Sequence, residues 1–321
     1  MTLDRTAWRH GIRNALEETD FVSLGTKYRG KVRDNYSAPD GRRFICVTDR
    51  VSAFDRVLGT LPFKGQVLNR LAHFWFQRTA HIAPNHLLEV PDPNVMICEE
   101  CVPLPVEFIV RGYMTGVTQT SLWTHYQRGA REFCGHRLPD GLREHQRLEA
   151  PILTPSTKAV GGQHDVSISG EALLAMGTIS AEDFDAAAAY SMALFQTGQK
   201  LCADRGLLLV DTKYEFGKNA QGEVVLIDEI HTPDSSRFWY AESYQERFEG
   251  GLDPRSLDKE YLRRWLDDVG YKGEGDAPLL TEEVRIEASK RYVETCECIE
   301  GELFQPNMEP PLPRMRRALG E

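Results

Sequence analysis

No run of 18 apolar residues occurs in the 321-residue chain, so no segment is predicted to span a membrane as a helix. The opening MTLDRTAWRHGIRNALEETD lacks the apolar stretch of a secretory signal. Positive charge is in deficit. There are 38 Lys and Arg against 48 Asp and Glu, a net charge of −10. A general nucleic-acid binder carries a basic domain or stripe, so that class is set aside. Small anions are not, because local Arg and Lys clusters can sit in an acidic envelope. Seven cysteines are an odd number in a chain long enough to need no staples, and they read as free thiols in a reducing cytoplasm. HExxH and GxSxG are absent, which removes the helical zinc-protease site and the nucleophile elbow. The expected partners are small molecules, with neither nucleic acid nor membrane, and the expected state is a monomer or homodimer.

What the chain does contain is a mixture of two periodicities. Leu3, Ala7, Trp8, Ile12, Ala15 and Leu16 keep helical spacing over 3–18. Short apolar or alternating runs follow at 21–24, 31–36, 43–48 and 57–61, punctuated by Gly25, Gly30, Gly41 and Gly59, which predicts antiparallel hairpins. A helix face spans 67–76, a strand 106–111 and a helix 118–128. Residues 129–168 show little periodicity, and a loop of that length is often functional. The firmest helix runs from Ser180, a plausible N-cap, to Gly206, a plausible stop. Two strands with a polar turn near 218–222 come next, then helices near 256–269 and 281–301 and an irregular tail over 305–321. Strands and helices do not alternate strictly, which favours α+β over a doubly wound sheet.

Three constellations carry chemistry. Gly25-Thr-Lys-Tyr-Arg-Gly30-Lys31 has the GxxxxGK spacing, but Val32 stands where a Walker A loop needs Ser or Thr, and a strand follows instead of a helix. A glycine turn bearing Lys31 and Arg33 can still cover phosphates, as in kinases; a plain hairpin with exposed basic residues is the alternative. In LLLVDTKYEFG, alternation puts Asp211, Lys213 and Glu215 on one face. A hairpin centred near 219–220 would set 211 opposite Asp228, and a one-residue slip would present Glu229. Crowded carboxylates suit Mg²⁺ with bound phosphates, or else form an acidic face balanced by Lys213. Arg111 and Arg237 each follow a strand among Gly, Ser and Thr, and Arg suits a bidentate phosphate clamp. Cys98 and Cys101, even with Cys134 and His136, make a weak zinc motif.

Several segments in order resemble the SAICAR synthetase (phosphoribosylaminoimidazole-succinocarboxamide synthase) family in its longer form. They are RGKVRDNY (29–36), TDRVSAFD (48–55), PVEFIVRGYMTG (105–116), PILTPSTKA (151–159), HDVSIS (164–169), DTKYEFG (211–217) and IDEIHTPDSSRFW (227–239). The resemblance implies an ATP-dependent ligase of purine synthesis that joins 5-aminoimidazole-4-carboxylate ribonucleotide (CAIR) to L-aspartate. The implied fold is an N-terminal antiparallel β domain like a kinase small lobe (1–107), an ATP-grasp-like α+β domain (108–250) and C-terminal helices (251–321).

It also implies residue roles. Gly30, Lys31 and Arg33 meet ATP phosphates, Glu107 lies near the adenine, and Glu215 and Asp228 hold Mg²⁺. Arg111 and Arg237 clamp the 5′-phosphate of the substrate nucleotide. Asp211 and Asp234 lie near the imidazole amine. Ser156, Thr157 and Lys158 surround the aspartate or a phosphate, and Asp49 and Ser52 line the cleft. Lys213, Asp211 and Lys158 form the expected catalytic set. Where relatives read RGYxTGS, TGVTQTS intervenes here, so the phosphate-holding hydroxyl falls to Ser121, with Thr118 or Thr120 as alternatives. Rival readings are another ATP-grasp or kinase-like phosphotransferase and a nucleotide-binding module without turnover.

Overall fold

The computed structural model describes residues 3–54, 56–118, 120–158, 165–257 and 259–321, with the side chain of Glu260 left aside. Helix α1 (Arg5–Arg13) opens at Asp4, whose carboxylate accepts from the Ala7 amide at 2.7 Å. It is shorter than the expected 3–18: Asn14 closes it, and Leu16 packs instead in a small second core. Within 21–24, expected as a strand, Val22–Leu24 form a 3-10 turn. Strands β1 (Thr26–Arg29), β2 (Arg33–Ser37) and β3 (Arg42–Val47) then build a sheet. A ribbon of β4 (Arg50–Ala53) and β5 (Arg56–Thr60) leads into α2 (Lys64–Thr79), followed by β6 (Leu87–Asp92) and β7 (Val95–Glu99). The first sheet runs β1-β2-β3-β7-β6, antiparallel throughout.

The second sheet begins with β8 (Val102–Tyr113). After α3 (Leu122–Gln127), the stretch expected as a loop supplies two-residue strands β9 (Glu132–Phe133) and β10 (His136–Arg137) and the long β11 (Arg147–Thr157). Regular structure there was hidden because Pro151 and Pro155 interrupt the alternation of β11. Parts of that stretch, and Asp55, Ala159 and His164 of the matched segments, lie outside the described residues. Next come α4 (Gly170–Ala175), α5 (Ala181–Asp204), β12 (Leu207–Lys218), β13 (Val224–Ile227) and β14 (Ser236–Tyr240). Ser180 caps α5 as expected, accepting from the Asp183 amide at 3.1 Å. The order is β11-β8-β12-β13, and β14 lies on β12 beside β13. Helix α5 covers this sheet with Ala187, Leu194, Phe195 and Cys202, all fully buried. Sequence alternation and antiparallel pairing thus agree with the α+β expectation.

One register differs from expectation. Glu215 pairs with Ile227 and Lys218 with Val224, so the turn centres on 221. The Asn219 amide donates to the Glu223 carbonyl at 3.1 Å, and Gly222 takes φ +83° inside that turn, which lengthens it. Strand β13 then ends before 228. Asp211 faces Arg111 and Arg237, not Asp228.

Helices α6 (Ala241–Glu249), α7 (Glu260–Asp268), α8 (Glu282–Glu300) and α9 (Pro311–Leu319) complete the chain. The tail expected to be irregular therefore contains a helix. Pro311 and Pro313 disguise it, but proline is tolerated in the first helical turn. Met315 fills the core beneath the first sheet. Arg314, 5% exposed, donates to Asp92 at 2.6 Å and Asn94 at 2.7 Å, across the β6–β7 turn. Among the described residues no helix is long and apolar enough to cross a membrane.

Removing Arg314 would leave the buried Asp92 carboxylate uncompensated. Arg314→Ala is expected to lower unfolding free energy by about 3 kcal/mol, the scale for breaking one side of a buried pair. Adding Asp92→Asn should recover part of it. Urea titration of both variants checks this, and an unchanged midpoint in the single variant would refute it.

Candidate functional site

The turn between β1 and β2 is closed by the Gly30 amide donating to the Arg33 carbonyl at 2.8 Å. Lys31 is exposed at its tip. Arg33, by contrast, is buried and points across to the second sheet. It pairs with Asp228 and, at 2.6 Å, with Glu229, both just beyond β13. Burial alone would weaken its charge, but the two carboxylates outweigh it and push its pKa up. Asp228 adopts φ +68°, a conformation that Asp tolerates better than most residues. The one-residue slip considered for this hairpin thus becomes a shared arrangement in which both acids serve one guanidinium.

Next to this bridge, three strands of the second sheet line up. Ser156 on β11 pairs with Glu107 on β8, which pairs with Glu215 on β12. Lys213 donates to Glu107 at 3.0 Å and also to Glu215. Lys158 donates to the other Glu215 oxygen at 2.5 Å. Burial raises the Glu215 carboxyl, yet the two ammonium groups prevail and bring it down to about 2. Burial dominates for Glu107, whose pKa is raised. Lys213 is desolvated, but Glu215, Glu107 and Asp228 together push it up. Lys213 is therefore the cation shared by the three acids.

A second corner is built on Asp211. Its strand neighbours are Arg111 and Arg237. Arg237 donates to its carboxylate, and Arg111 lies 3.9 Å from the same oxygen. Arg111 also donates to Thr154 at 2.9 Å; burial lowers its pKa, and Asp211 opposes that. Gly116, at φ +110°, admits close approach: a Cβ there would meet the Ser121 Cβ at 2.4 Å and an Arg237 nitrogen at 3.6 Å. Ser121 thus sits beside Arg237, its hydroxyl donating at 2.7 Å to the Thr118 carbonyl. Thr118 and Thr120 meet each other instead, at 3.4 Å.

Asp234 opens into the same corner. Lys64 reaches it at 2.8 Å, Tyr292 at 2.7 Å and Lys259 at 3.1 Å. Burial would raise its pKa, but the two lysines hold it far below the usual carboxylate range. Asp211, Asp234, Ser236, Arg237 and Lys259 line a cavity of about 100 Å³.

The structure thus gathers the expected residues into two neighbouring groups along the second sheet, with Lys31 at the exposed tip of the first. Thr157 is held at the strand end, its amide donating to Val166 at 3.0 Å. Asp49 instead turns inward, accepting from the amides of Leu16 at 2.7 Å and Gly65 at 2.8 Å. Among the described residues, no group of three or more His, Cys, Asp or Glu side chains is arranged to hold a metal. Cys98 and Cys101 are buried, and burial pushes the Cys101 thiol up to about 11. Sequence reasoning missed Arg50, Lys64 and Tyr292, because periodicity does not distinguish a charged residue turned inward from one turned outward.

Two antiparallel sheets meeting along a charged rim, one of them bearing a glycine turn, form a scaffold suited to an enzyme acting on phosphorylated small molecules. Residues 26–279 match the family model described as SAICAR synthetase. The phosphoribosylaminoimidazole-succinocarboxamide synthase of Legionella pneumophila strain Lens is 50% identical over 297 residues, covering 92% of this chain and 94% of that protein. The solved SAICAR synthase of Saccharomyces cerevisiae complexed with SAICAR superposes with TM-score 0.77 at 27% identity, over 91% of this chain and 100% of that one. A SAICAR synthetase solved in complex with ADP superposes with TM-score 0.67 at 25% identity, covering 88% of this chain and 100% of that one. The chain belongs to the SAICAR synthetase family, the ligases that join CAIR to L-aspartate in purine biosynthesis.

Beyond Asp228, His231 is wholly buried. Its Nε2 lies 2.6 Å from the Tyr214 hydroxyl, and burial drives its pKa down to about 3. His86 is likewise lowered, to about 4, by burial. Both are neutral when folded, while the unfolded chain takes up protons below about pH 6.5. Their stabilisation is full above that pH and is lost as pH falls, by about 2 kcal/mol each at pH 5. Urea midpoints at pH 7 and pH 5 should show a smaller drop for His231→Asn than for the parent protein. Equal drops would remove His231 from this role.

Proposed function

We propose that the family reaction runs at this rim through an acyl phosphate, with ATP as phosphoryl donor. The observation carrying this reading is the Arg33 bridge, which joins the glycine turn to the acidic end of β13. A carboxylate is a poor electrophile because its charge is delocalised. An oxygen of the CAIR carboxylate attacks the γ-phosphorus, and the bond from that phosphorus to ADP breaks. The aspartate amine then attacks the acyl carbon, the carbon–oxygen bond to phosphate breaks, and the nitrogen loses its proton. Phosphoryl transfer asks the protein mainly for positioning and charge neutralisation. Gly30 and Lys31 would face the ATP phosphates and Glu107 the adenine, while Arg33, expected beside the phosphates, is engaged by Asp228 and Glu229 and would hold the acidic end of β13 against the glycine turn. Arg111, Arg237 and Ser121 would clamp the 5′-phosphate, and Asp211 and Asp234 would meet the imidazole amine. Ser156, Thr157 and Lys158 would approach aspartate or the transferred phosphate, with Lys213 beside them.

Glu215 and Asp228 fit Mg²⁺ by chemistry. Both are carboxylates sharing one lysine, and Mg²⁺ commonly takes one or two carboxylates and completes its shell with phosphates and water. The missing third protein ligand is therefore no obstacle. When bound, the ion supplies Lewis-acid polarisation of phosphoryl oxygens. Without it, Lys158, Lys213 and Arg33 already neutralise these acids.

A coupled assay for ADP, omitting CAIR, aspartate and ATP in turn, tests the reading. ADP release that ignores aspartate would refute it. Glu215→Gln and Asp228→Asn should each cut turnover by about a hundredfold or more, in line with loss of transition-state charge stabilisation. Glu215→Gln should also lower the ligand-free melting temperature, since two lysines lose their partner. Full activity in both variants would sink the metal role. Arg237→Lys keeps charge but not the bidentate fork. It should raise KM for CAIR about tenfold, with that for aspartate little changed; equal loss for both would mark a structural role.

A further inference from the structure

Arg50 is wholly buried, yet no part of the reaction described above calls on it. Its Nη2 donates to the Gly30 carbonyl at 3.0 Å and to Asp34 at 2.7 Å, its Nε to the Lys31 carbonyl at 3.0 Å, and its Nη1 to the Glu17 carbonyl. Two residues earlier, Thr48 holds the next carbonyl in line. Its amide donates to Val32 at 3.1 Å and its hydroxyl to the same oxygen at 2.7 Å. Three successive carbonyls of the glycine turn are thus drawn inward by one short segment.

A trans peptide points its N–H opposite to its carbonyl, and no peptide bond among the described residues is cis. Drawing the Gly30 and Lys31 carbonyls inward therefore aims the amides of Lys31 and Val32 away from Arg50, toward the outer side of the turn. Successive backbone N–H groups facing one way form an anion-binding concavity. Asp34 is itself fixed from two sides, accepting from Arg50 and from both the amide and hydroxyl of Thr19. The clamp is thereby anchored in the connection between α1 and β1 as well as in the sheet.

We propose that Arg50, assisted by Thr48, is a positioning residue for nucleotide phosphates: it orients the backbone amides of the glycine turn without touching the ligand. This rests on the ATP reading above. An ammonium group cannot reach four acceptors in the directions a guanidinium fork does. Arg50→Lys should therefore raise KM for ATP and Kd for ADP about tenfold, the effect of one or two lost hydrogen bonds. KM for CAIR and for aspartate should stay within about twofold. Thr48→Val, which keeps the backbone bond and removes only the hydroxyl, should give a smaller rise of the same kind. This variant keeps the test open should Arg50→Lys fail to fold.

The parent protein separates the two ideas. If it neither binds ADP by calorimetry nor consumes ATP, the ATP reading fails. If it does both, and the folded variants keep parental ADP affinity or lose all three substrates equally, the positioning role is overturned.

Discussion

A single guanidinium joins the two halves of the charged rim. Arg33 rises from β2 of the first sheet and meets Asp228 and Glu229 at the end of β13 in the second. Neither sheet contains both a glycine turn and a carboxylate row, so the site is assembled where this bridge brings the two together over a shared apolar core. Truncating one partner of a buried, hydrogen-bonded ion pair is far costlier than its net worth, because the other charge is stranded. Two acids on one arginine soften that dependence: losing either leaves the other.

The remaining charges follow the same economy. Glu107, Glu215 and Asp228 converge on Lys213, and Asp234 on Lys64 and Lys259. Each acid cluster carries its own cation, so a chain of net charge −10 keeps its site folded before substrate arrives. The same cations are the groups that incoming phosphates and carboxylates would attract. Binding would then exchange internal ion pairs for ligand ones, with little change in the number of buried charges.

Much of this was legible beforehand, and for reasons that can be named. Ser180, the acidic first turn of α5 and the stop near Gly206 obey capping rules. The period-2 run of β12 put Asp211, Lys213 and Glu215 on one face. What escaped was of three kinds. Register depends on turn length, and a turn centred on 221 instead of 219–220 moved every pairing by three residues. Prolines at 311 and 313 concealed α9 because the same residue marks loops and helix starts. Arg50 and Lys64 were invisible for another reason. A buried charge is decided by partners far along the chain, and no local pattern records them.

The contact between Arg314 and Asp92 spans 222 positions of sequence. At 5–20 residues per second, a ribosome needs roughly 10 to 45 s to travel between them. Throughout that interval the β6–β7 turn is a nascent surface with a carboxylate, an amide and an apolar hollow awaiting Arg314 and Met315. The first sheet is thus finished by residues that emerge 222 positions after Asp92. Completion of the first sheet therefore waits for Arg314, and a chain arrested before that residue would present an unfinished edge to chaperones and proteases.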